Sequence, residues 1–474
     1  MVTTLNAELL RSLSTPLLAA DQAHLRRCAG DLGARQPIHT VYGGAHLFTA
    51  DTVPKLGALA QRALAQYAPD SLSFARVLEL TDPGPHEPGA EASAQPTASD
   101  PSPAGSTAAL AQQIYSRVLA KLQREPVEDY RIDFEDGYGN RPDAEEDGHA
   151  DAAAQAVARA AQAGSLPPFI GIRIKPFTTE LLARSLRTAD LFLTRLTGEL
   201  GGRLPGGFLL TLPKVTHPAQ VRALAELCDL LEPRLGLPAG SLRFELMFET
   251  SQAVWSERGE LVLPHLVAAA AGRLVGVHFG TYDYTASCDI TAACQSMEHP
   301  ACDFAKHLLQ TCLSGTGIFL ADGATNILPI APHRPPAGRE LSEAELRKNQ
   351  ATVRAAMALH AQHVRRSLGQ GFYQGWDLHP APLPTRYGAV YAFFLANLPA
   401  AAERLRSFIG AAAQATRVGA VFDDAATGQG LLNFFLRGLA CGALTEDQAR
   451  CGGLTPAELR SRSFVTILAG RRGS

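Results

Sequence analysis

Short apolar segments rich in β-branched residues alternate along most of this chain with longer stretches of helical periodicity, and this alternation is the strongest constraint on its fold. Parallel strands need a long crossover between them, so a repeated strand and helix pattern predicts a parallel sheet. Eight strand–helix units are the number that closes a (β/α)8 barrel, also called a TIM barrel. Eight segments have the composition of strands: 37–42, 130–135, 169–176, 207–214, 242–249, 273–280, 317–320 and 375–379.

The helical stretches between these segments fit the same architecture. They lie at 150–163, 179–196, 218–231 and 342–368, and Ser342 with Glu345 forms a capping box at the start of the last one. An open, doubly wound sheet is the alternative arrangement. No GxGxxG or Walker-type glycine loop follows any of the eight segments, which disfavours the phosphate-binding versions of that alternative.

The domain organisation follows from where the alternation begins and ends. We predict an N-terminal helical segment at 1–36, the barrel at 37–383 and a C-terminal helical domain at 384–474. Within the barrel, residues 81–107 are rich in Pro, Ala, Ser and Gly. Such a segment cannot bury enough apolar surface to order itself, so we predict a flexible insertion there.

Composition excludes several classes of partner. Over 474 residues the formal net charge is −3, which offers no basic surface to nucleic acid, and no apolar run is long enough to cross a bilayer. The first residues lack the layout of a signal peptide and the eight cysteines include no CxxC pair, so we expect a cytoplasmic protein with reduced thiols. We expect small-molecule substrates as partners, and a homo-oligomer stays open.

The segment DFEDG, residues 133–137, places three carboxylates where the second strand should end. Buried carboxylates are costly unless a cation, an arginine or a substrate lies among them. Barrel enzymes carry their chemistry at the carboxyl ends of the strands, so the other strand ends matter equally. They carry a mixed set of polar side chains: Arg173, Lys214, Glu249, Asp283 and His379.

Each of these side chains has a functional interpretation and a structural alternative. Glu249 and Asp283, from separate strands, offer the oxygen ligands that Mg²⁺ prefers, although a capping glutamate and a turn aspartate would look the same. Arg173 could hold a carboxylate or stabilise an oxyanion, or it could pair with the acids of the second strand. Lys214 could bind a phosphate or an acid, or form a salt bridge. His379 could line the site or be a structural hydrogen-bonding residue.

The order of the motifs resembles one known superfamily. DFEDG, IRIKP, LPKV, MFET, GTYDY and WDLHP follow one another, within about residues 37–384, as in the HpcH/HpaI aldolase and citrate lyase β-subunit superfamily. Within it the chain is most similar to malate synthase, because VFDDAAT at 421–427 resembles the EDAAT motif of the malate synthase C-terminal domain. IRIKP lacks the glycine that usually follows this arginine in malate synthases, which marks a divergent relative.

This resemblance implies a role for each site residue. Glu249 and Asp283 would bind Mg²⁺, with Mn²⁺ as the alternative metal, while Glu135 and Asp136 would hold metal-bound waters. Arg173 would stabilise an enolate. These assignments come from the matching motifs alone.

The implied reaction is a Claisen condensation of an acyl-CoA such as acetyl-CoA with a 2-oxoacid such as glyoxylate. Asp424, in the FDDAAT segment, would be the general base that removes a proton from the acyl-CoA methyl group. Two alternatives stay open. One is a lyase or aldolase that cleaves a hydroxyacyl-CoA or a hydroxy-oxoacid, in which Asp424 has no counterpart. The other is a barrel with a binding role and no catalysis.

Overall fold

A closed barrel of eight parallel strands forms the centre of the protein, and it confirms the predicted TIM barrel. The computed structural model describes residues 6–27, 33–80, 104–335, 339–412 and 425–472. The strands are β1 His39–Gly44, β2 Asp129–Asp133, β3 Phe169–Arg173, β4 Phe208–Leu212, β5 Arg243–Phe248, β6 Leu274–Phe279, β7 Phe319–Ala324 and β8 Gln374–Asp377. Each strand pairs with the next along the chain, and β8 closes the barrel on β1.

The strand alternation separates an outer apolar core from a polar interior. Ile132 and Leu210 point outward into the helical layer and are fully buried there. Their neighbours along the strands point inward: Arg131 contacts Glu245 of β5 across the barrel, and Thr211 contacts it from the adjacent strand β4. Side chains at every second position therefore fill the barrel with hydrogen-bonded charges.

Helices surround the barrel in the order that the alternation predicted. Their bounds are α1 Ala7–Arg27, α2 Thr52–Tyr67, α3 Ser71–Val77, α4 Ala104–Arg124, α5 Asp143–Gln162, α6 Leu182–Glu199, α7 Pro218–Arg234, α8 Leu263–Ala269, α9 Thr281–Ser287, α10 Pro300–Leu313, α11 Glu343–Gly369, α12 Leu383–Ala412, α13 Ala425–Ala440, α14 Glu446–Arg450, α15 Pro456–Ser461 and α16 Phe464–Arg472. The predicted capping box of Ser342 and Glu345 is present at the start of α11.

The predicted insertion at 81–107 needs one correction. Residues 81–103 lie outside the described residues, but α4 begins at Ala104, so the last four residues of the predicted insertion are helical. The loop-like composition continues past the start of the helix, because Ala104, Ser106 and Thr107 fit the start of a helix as well as a loop.

The C-terminal end of α13 lies against the barrel at the amino-terminal ends of its strands. Gln36, three residues before β1, donates its backbone N–H to the carbonyl of Ala440 at 3.2 Å. The Arg437 guanidinium of α13 lies over the ring of Tyr373, which immediately precedes β8, at 5.5 Å from the ring centroid. In the described part of the chain, α13 therefore contacts the end of the barrel opposite to the strand ends that carry the predicted site.

Across the described ranges, no helix is both long enough and apolar enough to span a membrane.

Candidate active site

Six of the eight residues predicted from the sequence come together at the carboxyl ends of the strands, at the mouth of the barrel. They are connected by ion pairs and hydrogen bonds that join β2, β3, β4, β5 and the helix after β6. The six are Glu135, Asp136, Arg173, Lys214, Glu249 and Asp283.

The carboxylate of Asp133 binds one edge of the Arg173 guanidinium. The two residues are direct neighbours in the β2–β3 register, and Arg173 Nε and Nη2 donate to the two Asp133 oxygens at 2.7 and 2.5 Å. Arg173 Nη1 lies 3.2 Å from Glu135 Oε2. The ion pair with the strand-two acids therefore exists, and it leaves the outer Nη1 edge facing the mouth as a hydrogen-bond donor.

Lys214 is the second cation of the mouth. Its ammonium contacts Glu135, both Asp136 oxygens at 3.1 Å and Asp283 Oδ2 at 3.5 Å. Burial would lower the pKa of Lys214, but the charges of Glu135, Glu249 and Asp283 outweigh it and raise this pKa. Lys214 therefore stays protonated and serves as a counter-ion that the chain itself supplies.

The backbone of Lys214 is also unusual. Its φ of +50° lies in the left-handed region, which a lysine rarely adopts. In this conformation its backbone N–H donates to Glu249 Oε1 at 2.8 Å while its side chain reaches the acids. Strained conformations of this kind concentrate at functional sites, because the surrounding contacts must fix them.

Glu249 is the most perturbed acid of the cluster. It is fully buried, and burial together with the nearby charge of Asp283 raises its pKa to about 8. Gly280 at the end of β6 leaves room for it, since a Cβ on Gly280 would lie 2.2 Å from Glu249 Oε2. A carboxyl whose ionisation is this costly favours a nearby cation.

The remaining acids respond differently to the same surroundings. Burial raises the pKa values of Glu135 and Asp283, against the opposing charges of Arg173 and Lys214. Burial acts in the same direction on Asp136, but hydrogen bonding to Glu135 and the charge of Lys214 outweigh it and lower the pKa of Asp136. The mouth therefore carries more negative charge than its own cations neutralise.

The donor set fits a hard divalent cation. Mg²⁺ usually binds one or two carboxylates and completes its shell with water and substrate oxygens, and Glu249 with Asp283 offers such a pair. Within the described residues, no three His, Cys, Asp or Glu side chains form a ready-made metal cluster. The Lys214 ammonium lies among these acids, in contact with Glu135, Asp136 and Asp283.

A second charged cluster lies below the mouth, inside the barrel. Arg131 is completely buried and donates to both oxygens of Glu245 at 2.8 and 2.9 Å, and it also pairs with Asp129. His278 Nε2 lies 3.1 Å from Glu245 Oε2, and its Nδ1 lies 3.1 Å from the hydroxyl of Tyr42. Burial would raise the pKa of Glu245, but the charges of Arg131 and His278 outweigh it and lower this pKa.

An apolar wall completes the mouth. Five buried side chains from β1, β5, β7 and β8 form a cluster of their own inside the barrel, separate from the main core: Tyr42, Met247, Ala321, Ala324 and Trp376. Arg173 Nη1 lies 3.6 Å from the sulfur of Met247, so this wall borders the guanidinium directly. An apolar wall beside a cation excludes water and strengthens its interaction with a developing negative charge.

Two predicted site residues are not brought into this cluster by the described contacts. His379 is half-buried, and its Nδ1 accepts a hydrogen bond from the backbone N–H of Ala381 at 3.1 Å, which is a local turn contact. Its substrate-binding role stays a prediction. Asp424 lies outside the described residues, so its role as a base also stays a prediction.

Sequence reasoning assigned no role to Asp133, Glu245, His278 or Tyr42. A signal for them exists in the strand sequence DYRID, where Asp129, Arg131 and Asp133 occupy every second position of β2. Period-two charges on a buried strand predict a polar barrel interior. The partners on other strands carry no such pattern and emerge only when the barrel closes.

The fold and the mouth together define a TIM barrel with a cluster of mostly acidic side chains at the carboxyl ends of its strands. The chain belongs to the family described as a domain of unknown function, DUF6986, whose family model matches residues 17–467.

Several solved structures match this chain at low sequence identity. A citrate lyase from Burkholderia xenovorans LB400 matches with a TM-score of 0.51 and 19% identity over 72% of this chain and 92% of that chain. A Haloferax volcanii malate synthase matches with a TM-score of 0.40 and 15% identity, covering 60% and 75% of the two chains. Protein CitE from Mycobacterium tuberculosis, in complex with magnesium and acetoacetate, matches at 0.36 and 17%, covering 58% and 84%. The citrate lyase match establishes a shared fold and leaves the reaction open.

Proposed function

We propose that this protein is a divalent-metal-dependent enzyme that cleaves or forms a carbon–carbon bond next to a 2-oxoacid carbonyl. The observation that carries the proposal is the excess of carboxylates at the mouth, with the fully buried Glu249 at its centre. Motifs shared with the HpcH/HpaI and citrate lyase β-subunit superfamily support the same chemistry. Mg²⁺ is the proposed metal, with Mn²⁺ as the alternative.

Glu249 and Asp283 would hold the metal, and Glu135 and Asp136 would hold its waters. When bound, such an ion supplies positive charge that polarises the oxoacid carbonyl. The chain contributes the orientation of that substrate, because the metal ligands lie on one side of the mouth and the apolar wall on the other. Lys214 would remain within reach of Glu135 and Asp136 and keep them ionised.

Arg173 would stabilise the negative charge that develops on the enolate oxygen. Its guanidinium is almost completely buried beside Met247, and its Nη1 edge is directed along the acidic cluster toward the mouth. A fixed donor in a water-poor site stabilises such a charge far more than a mobile one in water. The charge of Asp133 and burial by the barrel keep this arginine in place before substrate arrives.

The cleavage direction is the first candidate, as in a lyase or aldolase acting on a hydroxyacyl-CoA or a hydroxy-oxoacid. Cleavage by this site does not require Asp424. The residues that this direction needs lie together at the mouth, in the described part of the chain.

Condensation of acetyl-CoA with glyoxylate is the second candidate. The observation that favours it is the FDDAAT segment, which the lyases and simple aldolases lack. In this reaction Asp424 would remove the methyl proton of the acyl-CoA, and hydrolysis of the thioester would release malate and CoA.

One set of assays tests both candidates. Purified protein with Mg²⁺ is given malyl-CoA, 4-hydroxy-2-oxoacids, or acetyl-CoA with glyoxylate, and the products are followed with and without EDTA. Cleavage that EDTA abolishes and that Asp424→Asn retains supports the first candidate. Metal-dependent CoA release that Asp424→Asn abolishes supports the second. Turnover that persists unchanged in EDTA contradicts the metal assignment.

A further inference from the structure

A continuous line of contacts connects the salt bridge inside the barrel to the arginine at its mouth. Arg131 holds both oxygens of Glu245, and Glu245 Oε2 holds His278 Nε2 at 3.1 Å. The other ring nitrogen of His278 lies 3.1 Å from the Tyr42 hydroxyl. Each of these groups is at least nine-tenths buried, so the line is shielded from water along its length.

Tyr42 is the upper end of this line. Its ring crosses the interior from β1 to His278 on β6 and belongs to the apolar wall of the mouth. The guanidinium carbon of Arg173 lies 4.8 Å from the centroid of the Tyr42 ring. At that distance the cation interacts with the face of the ring, which stabilises the pair more strongly in a buried site than at a surface.

Besides the contacts of its Nη1 with Glu135 and Met247, two contacts restrict the orientation of the Arg173 guanidinium. Asp133 binds its Nε and Nη2 edge and fixes the guanidinium within its own plane. The Tyr42 ring supports the guanidinium from one face and limits its movement out of that plane. A flat group held along an edge and over a face has little freedom left.

We propose that Tyr42 is a positioning residue for Arg173 and that its ring, rather than its hydroxyl, performs this role. The effect on rate rests on the proposed function of Arg173 as the group that stabilises the enolate. The effect on geometry does not rest on it. The raised pKa of Tyr42, caused by burial and by the charge of Glu245, keeps its hydroxyl protonated and so able to hydrogen-bond His278.

A spectroscopic experiment tests the geometry independently of any activity. In a proton–nitrogen correlation spectrum, the Arg173 Nε–H resonance is assigned by its loss in Arg173→Lys. The ring current of Tyr42 should displace this resonance in the wild-type protein. Tyr42→Leu should therefore move it, while Tyr42→Phe, which keeps the ring and removes only the hydroxyl, should leave it close to its wild-type position. An unmoved resonance in Tyr42→Leu overturns the proposal.

A kinetic experiment tests the consequence. Tyr42→Leu should lower kcat by roughly tenfold, the middle of the range for a buried cation–π contact, because the arginine acts in the transition state. Its KM should stay within about twofold, since the metal and its ligands still bind the oxoacid. Tyr42→Phe should keep kcat within about threefold. Equal losses in the two variants would contradict a role for the ring face.

Two controls keep the outcomes separate. Tyr42→Met provides a second ring-free variant if Tyr42→Leu does not fold, and it should give the same spectrum and the same loss of kcat. A wild-type protein without turnover contradicts the proposed function, while the displaced Arg173 resonance in the same sample still supports the positioning of Arg173 by Tyr42.

Discussion

Two clusters of buried charge lie one above the other in the barrel, and they differ in how completely their charges are balanced. In the interior, Arg131 pairs with Asp129 and Glu245, and His278 adds a further contact to Glu245. Among the described residues of the mouth, Arg173 and Lys214 are the two cations that pair with the acids. Those acids are Asp133, Glu135, Asp136, Glu249 and Asp283.

Two glutamates four residues apart show what the difference means. Glu245 on β5 has a lowered pKa because Arg131 and His278 compensate its burial, whereas Glu249, directly after β5, has its pKa raised to about 8 by burial and by Asp283. Both side chains are equally buried. The charges of the interior cluster are therefore balanced. The acids of the mouth, where we propose that a cation binds, outnumber the cations that pair with them.

The largest effect on activity and Mg²⁺ binding is expected from removing the carboxylate of Glu249. Glu249→Gln should abolish metal-dependent turnover and weaken Mg²⁺ binding by at least about 100-fold, the upper end of the loss for an outer-shell residue. Calorimetric titration with Mg²⁺ measures the affinity, and urea unfolding checks that the fold survives. Wild-type Mg²⁺ affinity in this variant would remove Glu249 from the metal site.

Removing the carboxylate of Glu245 should instead lower the free energy of unfolding. Glu245→Gln leaves the Arg131 charge buried with only Asp129 as an anionic partner, and breaking a buried pair in this way costs about 3–5 kcal/mol. Urea unfolding of the metal-free protein measures the loss, with Glu249→Gln as the matched control. If Glu249→Gln lost as much stability as Glu245→Gln, the two clusters would not differ in charge balance.

Gly276 in β6 and Gly280 directly after this strand allow a steric comparison of the same two glutamates. A Cβ on Gly280 would lie 2.2 Å from Glu249 Oε2, whereas a Cβ on Gly276 would make an ordinary contact of 3.6 Å with Glu245 Cβ. Gly280→Ala should therefore displace Glu249 and weaken Mg²⁺ binding by about tenfold, and Gly276→Ala should leave the affinity unchanged. Calorimetry measures both, and equal affinities would show that Glu249 can move without loss.

A third group of buried charges surrounds His39 on the outer side of β1 and β8. It makes the stability of the protein depend on pH. His39 is fully buried, and burial lowers its pKa to about 4 despite the charges of Asp377 and Glu128, with Arg386 and Lys121 acting in the same direction as burial. The unfolded chain protonates this histidine near pH 6.5 and the folded protein only near pH 4. Its contribution to stability is therefore present above pH 6.5 and is lost as the pH falls toward 4, by at most about 1.4 kcal/mol per pH unit.

His39→Gln should remove this dependence of stability on pH. In the wild-type protein the backbone N–H of Glu128 donates to His39 Nε2 at 3.0 Å, and the side-chain oxygen of the glutamine can accept the same hydrogen bond. Urea unfolding of the two proteins at several pH values between 4 and 7 measures the difference between their slopes. Parallel curves would mean that the folded and unfolded states protonate His39 over the same pH range.

The barrel could be predicted from the sequence because strand alternation is a local property. All eight predicted segments overlap observed strands, and the largest error is at β7, where the prediction ended at residue 320 and the strand continues to Ala324. Asp322 and Gly323 suggested a turn there. In the structure Asp322 is buried and its Oδ2 accepts from Lys306 and Ser367, so tertiary contacts override the local preference.

The site could be predicted only in part. Carboxylates at strand ends identify the mouth, and motif order selects Glu249, Asp283 and Arg173 among the candidates. The support beneath Arg173 could not be predicted, because Tyr42 and His278 are 236 residues apart and neither belongs to a motif. Their contact depends on the closure of the barrel, which brings β1 and β6 within reach of one tyrosine side chain.

Lys214 supplies the mouth with a positive charge that is covalently attached to the chain. Its ammonium is tethered to the same residue whose backbone N–H donates to Glu249, so an incoming dication would share the acids with a positive charge that cannot diffuse away. The field that this site projects into solvent is smaller than that of a bare group of carboxylates. Added salt should therefore weaken metal capture here less than at an open acidic cluster, since screening acts on the part of the field that reaches the solvent.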